Sequence, residues 1–186
     1  MKPSRRSAVA VPTKRPSKRL DREVTVPLSM LREFLDRNHI KYLVISHSVA
    51  YTAQGIAALT HTPGKELAKT VMVMVDGKLA MAVLPASYRM DLFKLKRYLG
   101  ADTVELATEN EFRDRFPDCE TGSMPPFGNL YGMDVFADER LAEDKEIAFN
   151  AGSHRELVRM TYADFRDLVN PVVIPLAAGK VGAHAA

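Results

Sequence analysis

The sequence predicts a single α/β (α+β) domain with a mixed, largely antiparallel sheet. Its 186 residues suit one domain of ordinary size. Hydrophobic residues make up 46% of the chain and charged residues 26%, which is the balance of a globular protein with a packed core. An apolar hairpin over residues 71–84 is accompanied along the chain by segments with helical periodicity. Together these features predict a sheet with helices packed around it.

The first predicted elements are a helix, a strand and a second helix. Ser29 is expected to cap the first helix, which ends near Asn38. A short apolar run predicts a buried strand over residues 42–45. The second helix covers residues 52–59 and is closed by the turn Thr62-Pro63-Gly64.

The hairpin is the clearest local signal, because Asp76-Gly77 suits a tight turn with positive φ. Both of its arms are apolar at nearly every position, which predicts strands covered on both faces at the centre of the sheet. Asp91 is then expected to open a helix that Gly100 ends. A further strand is expected over residues 103–107.

The last third of the folded part combines a capped helix, a loop and three strands. Thr108 and Glu111 have capping-box spacing and predict a helix over residues 109–116. A loop rich in Gly and Pro follows over residues 121–129. The remaining elements are strands at residues 131–136, 146–150 and 156–160 and a helix that Thr161 begins and Pro171 ends.

The net charge of +3 is unevenly distributed along the chain. Residues 1–22 hold eight basic side chains and one acidic side chain, so the remainder carries a net charge of −4. We therefore expect a flexible basic N-terminal arm over residues 1–27, a folded domain over residues 28–176 and a C-terminal tail over residues 177–186. Such an arm either adds affinity for nucleic-acid phosphates or is a solvated tail.

Several classes of protein are excluded. The longest apolar stretches, such as residues 71–75, are far shorter than the ~20 residues that cross a bilayer. The basic N-terminus lacks the apolar centre of a secretory signal, so we expect a cytoplasmic protein. The single cysteine, Cys119, rules out an intramolecular disulfide and a Cys-rich zinc site.

Two residues and one loop are candidates for a chemical role. Lys69 lies at the start of the buried hairpin, where its ammonium either meets an anion or snorkels to solvent. The loop over residues 122–128 either brings backbone N–H groups to a ligand or is a plain surface turn. His154 follows a predicted turn and either faces a pocket or is exposed. Acidic neighbours disfavour a thiolate at Cys119, so a structural or incidental cysteine is expected.

A set of short motifs occurs in a characteristic order along the chain. The set comprises His47, Thr52, residues 66–70, residues 122–128, Asp138 and residues 151–154. In this order and spacing the sequence resembles the YbaK/prolyl-tRNA synthetase-associated editing domain family, over about residues 28–176. That family contains free-standing aminoacyl-tRNA deacylases and the inserted editing domain of bacterial prolyl-tRNA synthetases.

The resemblance implies a strongly curved sheet and a pocket that receives the 3′ end of a mischarged tRNA. A family lysine that contacts the phosphate of the terminal nucleotide matches Lys69, and a loop beside the ester carbonyl matches Gly122 to Pro126. Lys69, Gly122 and Pro126 are therefore the implied catalytic residues. In the family, water attacks the ester with help from a ribose hydroxyl of the substrate, so the resemblance implies no metal, cofactor or protein nucleophile.

The resemblance also implies a substrate-binding set. Its members are His47, Thr52, Thr70, Ser123, Met124, Asp138, Gly152, Ser153 and His154. Alanine-specific members tend to have Asn after the key lysine, where this chain has Thr70, so alanine specificity is not implied. We expect a small amino acid such as Ser, Thr or Ala, with large side chains excluded by size.

The implied partner is an aminoacylated tRNA, and an aminoacyl-tRNA synthetase is a second candidate. Charge alone makes four residues of the arm candidates for binding the tRNA: Lys14, Arg15, Lys18 and Arg19. The alternative function is a non-catalytic tRNA- or ribosome-binding module with the same fold.

Overall fold

The computed structural model describes residues 27–117 and 119–180. Nearly all of the predicted basic arm and the end of the predicted tail lie outside these residues. Within them the α-helices are α1 (Pro27–Arg37), α2 (Ala53–Thr60), α3 (Leu92–Leu99), α4 (Glu109–Phe112) and α5 (Tyr162–Val169). The strands are β1 (Tyr42–Ser46), β2 (Ala68–Val75), β3 (Lys78–Pro85), β4 (Tyr88–Met90), β5 (Val104–Leu106), β6 (Asp134–Asp138), β7 (Glu146–Asn150), β8 (Glu156–Thr161), β9 (Val172–Ile174) and β10 (Ala177–Lys180).

The largest sheet has the strand order β5-β2-β3-β6-β9. Its β3-β6 and β6-β9 pairs are parallel, whereas β2 pairs with β3 and β5 in antiparallel orientation. A three-stranded antiparallel sheet has the order β1-β8-β7, and β10 pairs with β4. The prediction of a mixed, largely antiparallel sheet is therefore confirmed, with the hairpin inside the largest sheet as expected.

Two hydrophobic clusters on opposite faces explain why both hairpin strands are apolar throughout. Met72 and Met81 are paired in register and belong to the larger cluster, which also takes in α1, α5 and the three-stranded sheet. Val73 and Ala80, one step along each strand, belong to a second cluster with Leu95 of α3. Because successive side chains of a strand point to opposite faces, a strand covered on both sides needs apolar residues at every position.

The helix boundaries follow the predicted caps in α3 and α5, and Thr52, predicted as the first residue of the second helix, is the cap of α2. The Thr52 side chain accepts a hydrogen bond from the Gly55 N–H at 3.1 Å, and Asp91 accepts one from the Lys94 N–H at 3.0 Å. Gly100 ends α3 in the left-handed conformation with φ 63°. These local interactions confirm the predicted starts and stops of the helices.

Several sequence-based boundaries are wrong. Ser29 lies inside α1, which begins at Pro27, a residue whose fixed φ suits the first turn. The helix predicted over residues 109–116 ends at Phe112 and continues as a 3₁₀ turn, because Pro117 disfavours helical geometry at the residue before it. Likewise, β6 begins only at Asp134, since a 3₁₀ helix precedes it.

Three short strands were not anticipated. The strands β4, β9 and β10 have three or four residues each, too few to show a period of two. Residues 177–180, which the sequence analysis places in a tail, form β10 against β4. None of the helices in the described ranges has the length and apolar character needed to cross a membrane.

Candidate active site

A cavity of about 200 Å³ lies where β2 begins, next to the Gly/Pro-rich loop. Four residues singled out from the sequence line it: Lys69, Thr70, Gly122 and His154. The other lining residues are Tyr51, Ile56, Leu67, Ala68, Ala86 and Asn150. The fold therefore brings together residues that lie up to 103 positions apart in the chain, counting from Tyr51 to His154.

The ammonium group of Lys69 is held by a backbone carbonyl. Its Nζ donates a hydrogen bond to the Tyr88 carbonyl oxygen at 2.6 Å. The side chain is half-buried, and this desolvation lowers the pKa of Lys69 below its ordinary value. No carboxylate among the described residues forms an ion pair with it. The site thus presents a partly desolvated cation without a counter-ion from that part of the chain.

Gly122 lets the Gly/Pro-rich loop lie close to the ring of His154. Its φ of +86° lies in the region that favours glycine, and a Cβ there would lie 3.7 Å from the His154 Cε1. The next N–H group, that of Ser123, donates to the Glu120 carbonyl at 2.9 Å. The N–H of Gly122 has no hydrogen-bond acceptor within the described ranges.

The ring of His154 has a defined orientation. Its Nε2 lies 3.0 Å from the Thr121 carbonyl oxygen, which only accepts, so Nε2 carries the proton. In the neutral ring Nδ1 is then an acceptor, and it is buried without a partner among the described residues. The ring of Tyr51 packs against that of His154 in an edge-on arrangement, with centroids 4.7 Å apart.

Hydrogen bonds join the Gly/Pro loop to the turn that carries His154. The Glu120 N–H donates to the Gly152 carbonyl at 2.9 Å, and the Gly152 N–H donates to the Ser123 carbonyl at 2.9 Å. The Glu120 side chain then accepts from the His154 N–H at 2.7 Å. These contacts fix the position of Gly122 relative to His154. The Gly/Pro-rich loop and the His154 turn therefore form one wall of the cavity.

Other predicted loop residues support the wall from behind. Ser123, Met124 and Pro126 are buried and do not line the cavity. The Ser123 hydroxyl donates to the Glu120 carbonyl at 2.6 Å, and Met124 belongs to the main hydrophobic cluster. Gly152 occupies the turn with φ +96°, and the Ser153 hydroxyl accepts a hydrogen bond from the Arg155 N–H.

His47 and Thr52 belong to the segment between β1 and α2, which contains Tyr51. The His47 N–H donates to the Arg155 carbonyl at 2.8 Å, and the Ala50 N–H donates to the His154 carbonyl at 3.2 Å. This segment is therefore attached to the His154 turn. Neither His47 nor Thr52 lines the cavity.

Asp138 lies apart from the cavity lining. Its fully buried carboxylate accepts a hydrogen bond from the Ala177 N–H at 2.6 Å and contacts the Arg140 guanidinium at 3.3 Å. It thereby ties the end of β6 to the start of β10. In this arrangement the carboxylate oxygens are directed to the protein's own groups.

Sequence reasoning missed Tyr51, Asn150 and Glu120. Asn150 lines the cavity, and its Oδ1 is buried without a partner in the described ranges. It directly precedes the Ala151-Gly152 motif, which is the only local signal that points to it. Nothing in the local sequence marks Tyr51 or Glu120, because only the tertiary fold brings them to His154.

The lining favours binding an anion and a small polar group. Lys69 supplies a positive charge, while Thr70, Asn150 and His154 supply hydrogen-bonding groups. Among the described residues no three His, Cys, Asp or Glu side chains form a group that would hold a metal ion. Cys119 packs against the main hydrophobic cluster and does not line the cavity.

Comparison with known proteins supports the family resemblance found in the sequence. A model of the aminoacyl-tRNA editing domain matches residues 47–168. The multifunctional Ser/Thr-tRNA deacylase ProXp-y of Escherichia coli K12 is 27% identical over 145 residues, which cover 75% of this chain and 86% of the deacylase. A proline–tRNA ligase of Nitratidesulfovibrio vulgaris is 31% identical over 143 residues, or 71% of this chain. The chain spans only 25% of that ligase.

Solved structures agree on the fold. A candidate trans-editing enzyme for prolyl-tRNA synthetase superposes with a TM-score of 0.72 at 22% identity, covering 82% of this chain and 98% of the other. The hypothetical protein APE2540 superposes with a TM-score of 0.72 at 20% identity, covering 80% of this chain and 99% of the other. The family resemblance and the fold predicted from the sequence are both confirmed. The chain belongs to the aminoacyl-tRNA editing domain family.

Proposed function

We propose that the chain is a trans-editing aminoacyl-tRNA deacylase that hydrolyses the ester bond of tRNA mischarged with a small amino acid. The observation that carries this proposal is the half-buried ammonium of Lys69, which has no carboxylate partner among the described residues. A partly desolvated cation beside a cavity is suited to bind a phosphate. The phosphate of the 3′-terminal nucleotide of a tRNA is such a group.

The coverage of the relatives supports action in trans. The chain matches 86% of the length of the E. coli deacylase but only 25% of the proline–tRNA ligase. We propose that this editing domain acts on tRNA released from a synthetase. The aminoacylated tRNA is then the partner, with an aminoacyl-tRNA synthetase as the second candidate. Because charged tRNA is used in the cytoplasm, we place the reaction there.

The reaction is hydrolysis of an ester. The oxygen of a water molecule bonds to the carbonyl carbon, and the bond from that carbon to the ribose oxygen breaks. The ribose oxygen takes up a proton, so the products are the free amino acid and the tRNA with its terminal hydroxyl. We propose that the ribose hydroxyl of the substrate assists the water, as the family resemblance implies.

Gly122 and Lys69 have separate roles in this proposal. We propose that the N–H of Gly122 donates to the oxygen that becomes negative in the transition state, and such a donor is typically worth a few kcal/mol. Lys69 holds the phosphate and thereby positions the ester. Pro126 stiffens the loop from its buried position rather than touching the substrate.

The cavity favours small and hydroxylated side chains. Its volume of about 200 Å³ is small, and His154 Nδ1 and Asn150 Oδ1 are acceptors without partners in the described ranges. Both atoms are buried, so we propose that a hydroxyl or ammonium group of the substrate donates to them once binding exposes them to the cavity. The Ser/Thr activity named for the E. coli relative agrees with this chemistry. We therefore propose Ser and Thr as substrates, with Ala as a third.

The decisive experiment is a hydrolysis assay on tRNAs charged with Ala, Ser, Thr or Cys. We expect the protein to release Ser or Thr faster than the ester decays in buffer. If no ester is lost faster than in buffer while the tRNA still binds, the alternative of a non-catalytic tRNA- or ribosome-binding module is favoured instead.

A further inference from the structure

A basic surface with an exposed aromatic ring lies on α3 and the adjoining end of β4. We call it the α3 face and define it by Arg89, Phe93, Lys96 and Arg97. Leu95 packs at 0% exposure into the second hydrophobic cluster, which turns the opposite side of the helix to solvent. Phe93 is 70% exposed there. Lys96 and Arg97 follow it by three and four positions, so their side chains flank its ring.

The charge of this surface contrasts with the rest of the domain. Residues 88–100 contain four basic side chains and one acidic side chain, whereas the chain from residue 23 onward carries a net −4. The acidic one, Asp91, is occupied as the cap of α3. Arg89, Lys96 and Arg97 form no ion pair with any described residue. The α3 face therefore concentrates uncompensated positive charge on an otherwise acidic domain.

The α3 face is joined to the candidate active site through β4. The Tyr88 carbonyl accepts the hydrogen bond from Lys69, and Arg89 is the next residue in the chain. From there α3 runs for eight residues, or about 12 Å. At a spacing of about 3.4 Å per phosphate along one strand, the value for duplex DNA, about three to four phosphates span that distance. The surface thus extends away from the site on the scale of a short stretch of nucleic-acid backbone.

We propose that the α3 face binds the sugar–phosphate backbone of the tRNA acceptor stem. Arg89, Lys96 and Arg97 contact phosphates, and Phe93 packs on a sugar between them. The inference rests on the proposed function, because it takes the terminal nucleotide to lie at Lys69. An RNA ligand is favoured over a membrane because this surface is continuous with the residue that holds Lys69, next to a cavity of only about 200 Å³.

The first test is the double variant Lys96→Glu with Arg97→Glu. Its rate of hydrolysis is measured on seryl-tRNA and on a seryl-CCA trinucleotide, which lacks the acceptor stem. At low salt we expect kcat/KM to fall at least tenfold on the tRNA and to stay within about twofold on the trinucleotide. Equal losses on both substrates, or no loss on the tRNA, would overturn the proposal.

The matched control is Arg32→Glu with Arg37→Glu on α1. Both arginines are exposed, and the change in net charge is the same. We expect this control to lose far less activity on seryl-tRNA than the α3 variant does. A similar loss in both would mean that net charge matters rather than the α3 face.

A binding measurement separates this inference from the proposed function. Binding of unfractionated, uncharged tRNA is followed against salt concentration, which needs no catalysis. The slope of log affinity against log salt should become shallower by about 0.9 for each phosphate contact removed. The α3 variant removes two contacts, so its slope should be shallower by close to two. One outcome is that the wild-type protein hydrolyses no ester while the slope still differs between the wild type and the α3 variant as expected. In that case the deacylase proposal fails and the α3 proposal stands.

The aromatic residue gives a second signature. We expect Phe93→Ser to weaken tRNA binding without changing the salt slope, because an apolar contact releases no counterions. Vesicles with anionic lipids test the competing ligand. If Phe93→Ser reduces vesicle binding and leaves tRNA binding unchanged, the α3 face is a membrane surface and the proposal is wrong.

Discussion

The Lys69 ammonium lies 2.6 Å from the Tyr88 carbonyl oxygen, with the side chain half-buried at the start of β2. A carbonyl orients the ammonium but does not neutralise it, so most of the charge stays available to a ligand. The snorkelling alternative would leave the ammonium in solvent, whereas here it is hydrogen-bonded beside the cavity. The geometry thus favours an anion-binding lysine.

Replacing Lys69 by Met should slow deacylation while sparing the fold. A hydrogen bond to a charged group is typically worth about 1.5–3 kcal/mol, so we expect kcat/KM to fall about 10- to 100-fold. Met keeps most of the apolar stem, and the thermal midpoint should change little. Lys78→Met, at the exposed far end of the same hairpin, is the control with equal charge change. Normal activity in Lys69→Met would refute the phosphate-binding role.

The lowered pKa of Lys69 predicts two pH effects. Between the lowered pKa and the ordinary value of 10.5, the unfolded chain binds more protons at this residue, so the contribution of Lys69 to the free energy of unfolding rises with pH. Activity should fall over the same range, because the neutral amine no longer holds a phosphate. Denaturant unfolding and kcat/KM are compared from pH 7 to 10. Identical pH profiles for wild type and Lys69→Met would contradict both effects.

Gly122→Ala should lower kcat more than it raises KM. A Cβ at Gly122 has room, since the nearest atom is 3.7 Å away, but the φ of +86° costs an L-residue about 1–2 kcal/mol. The loop is expected to relax and shift its N–H from the transition-state oxygen. Gly132→Ala, at φ +66° with no atom within 4 Å, carries a similar strain away from the cavity. Equal effects of the two variants on kcat would argue against a role in the transition state.

Glu120 is predicted to act as a positioning residue for His154. Its carboxylate accepts the His154 N–H at 2.7 Å, so Glu120→Ala frees the turn that carries the ring. We expect a several-fold rise in KM for seryl-tRNA, a smaller change in kcat and weaker preference for Ser over larger amino acids. Glu120→Gln keeps an oxygen acceptor and should restore wild-type behaviour. If Gln fails to rescue, the charge rather than the hydrogen bond is what matters.

Deletion of residues 1–22 tests the basic arm, which lies outside the described residues. The truncated protein should bind tRNA more weakly and with a shallower salt dependence, because positive charges that contact phosphates are lost. The order of preference among amino acids should remain the same. A reordered preference would show that the arm reaches the pocket, and unchanged binding would show that it is a passive tail.

The local sequence by itself determined the hairpin, the capped helices and the membership of the family. Asp76-Gly77 specifies a tight turn, and Thr52, Asp91 and Thr161 cap the helices that follow them. The hairpin turn and the helix caps depend on interactions within a few residues, which a linear pattern records, and the family is recognised from the order of its motifs. Short strands such as β10 gain their stability from partners far along the chain, so no local pattern marks them.

Only the tertiary structure decided which of the candidate residues share the cavity. Lys69, Gly122 and His154 meet there because β2 leads into the site and hydrogen bonds join residues 120–123 to residues 152–154. The same packing buries Asp138 against Ala177 and brings Tyr51 to the ring of His154. A motif specifies the residue types and their order, but the direction of each side chain depends on long-range contacts that the order does not contain.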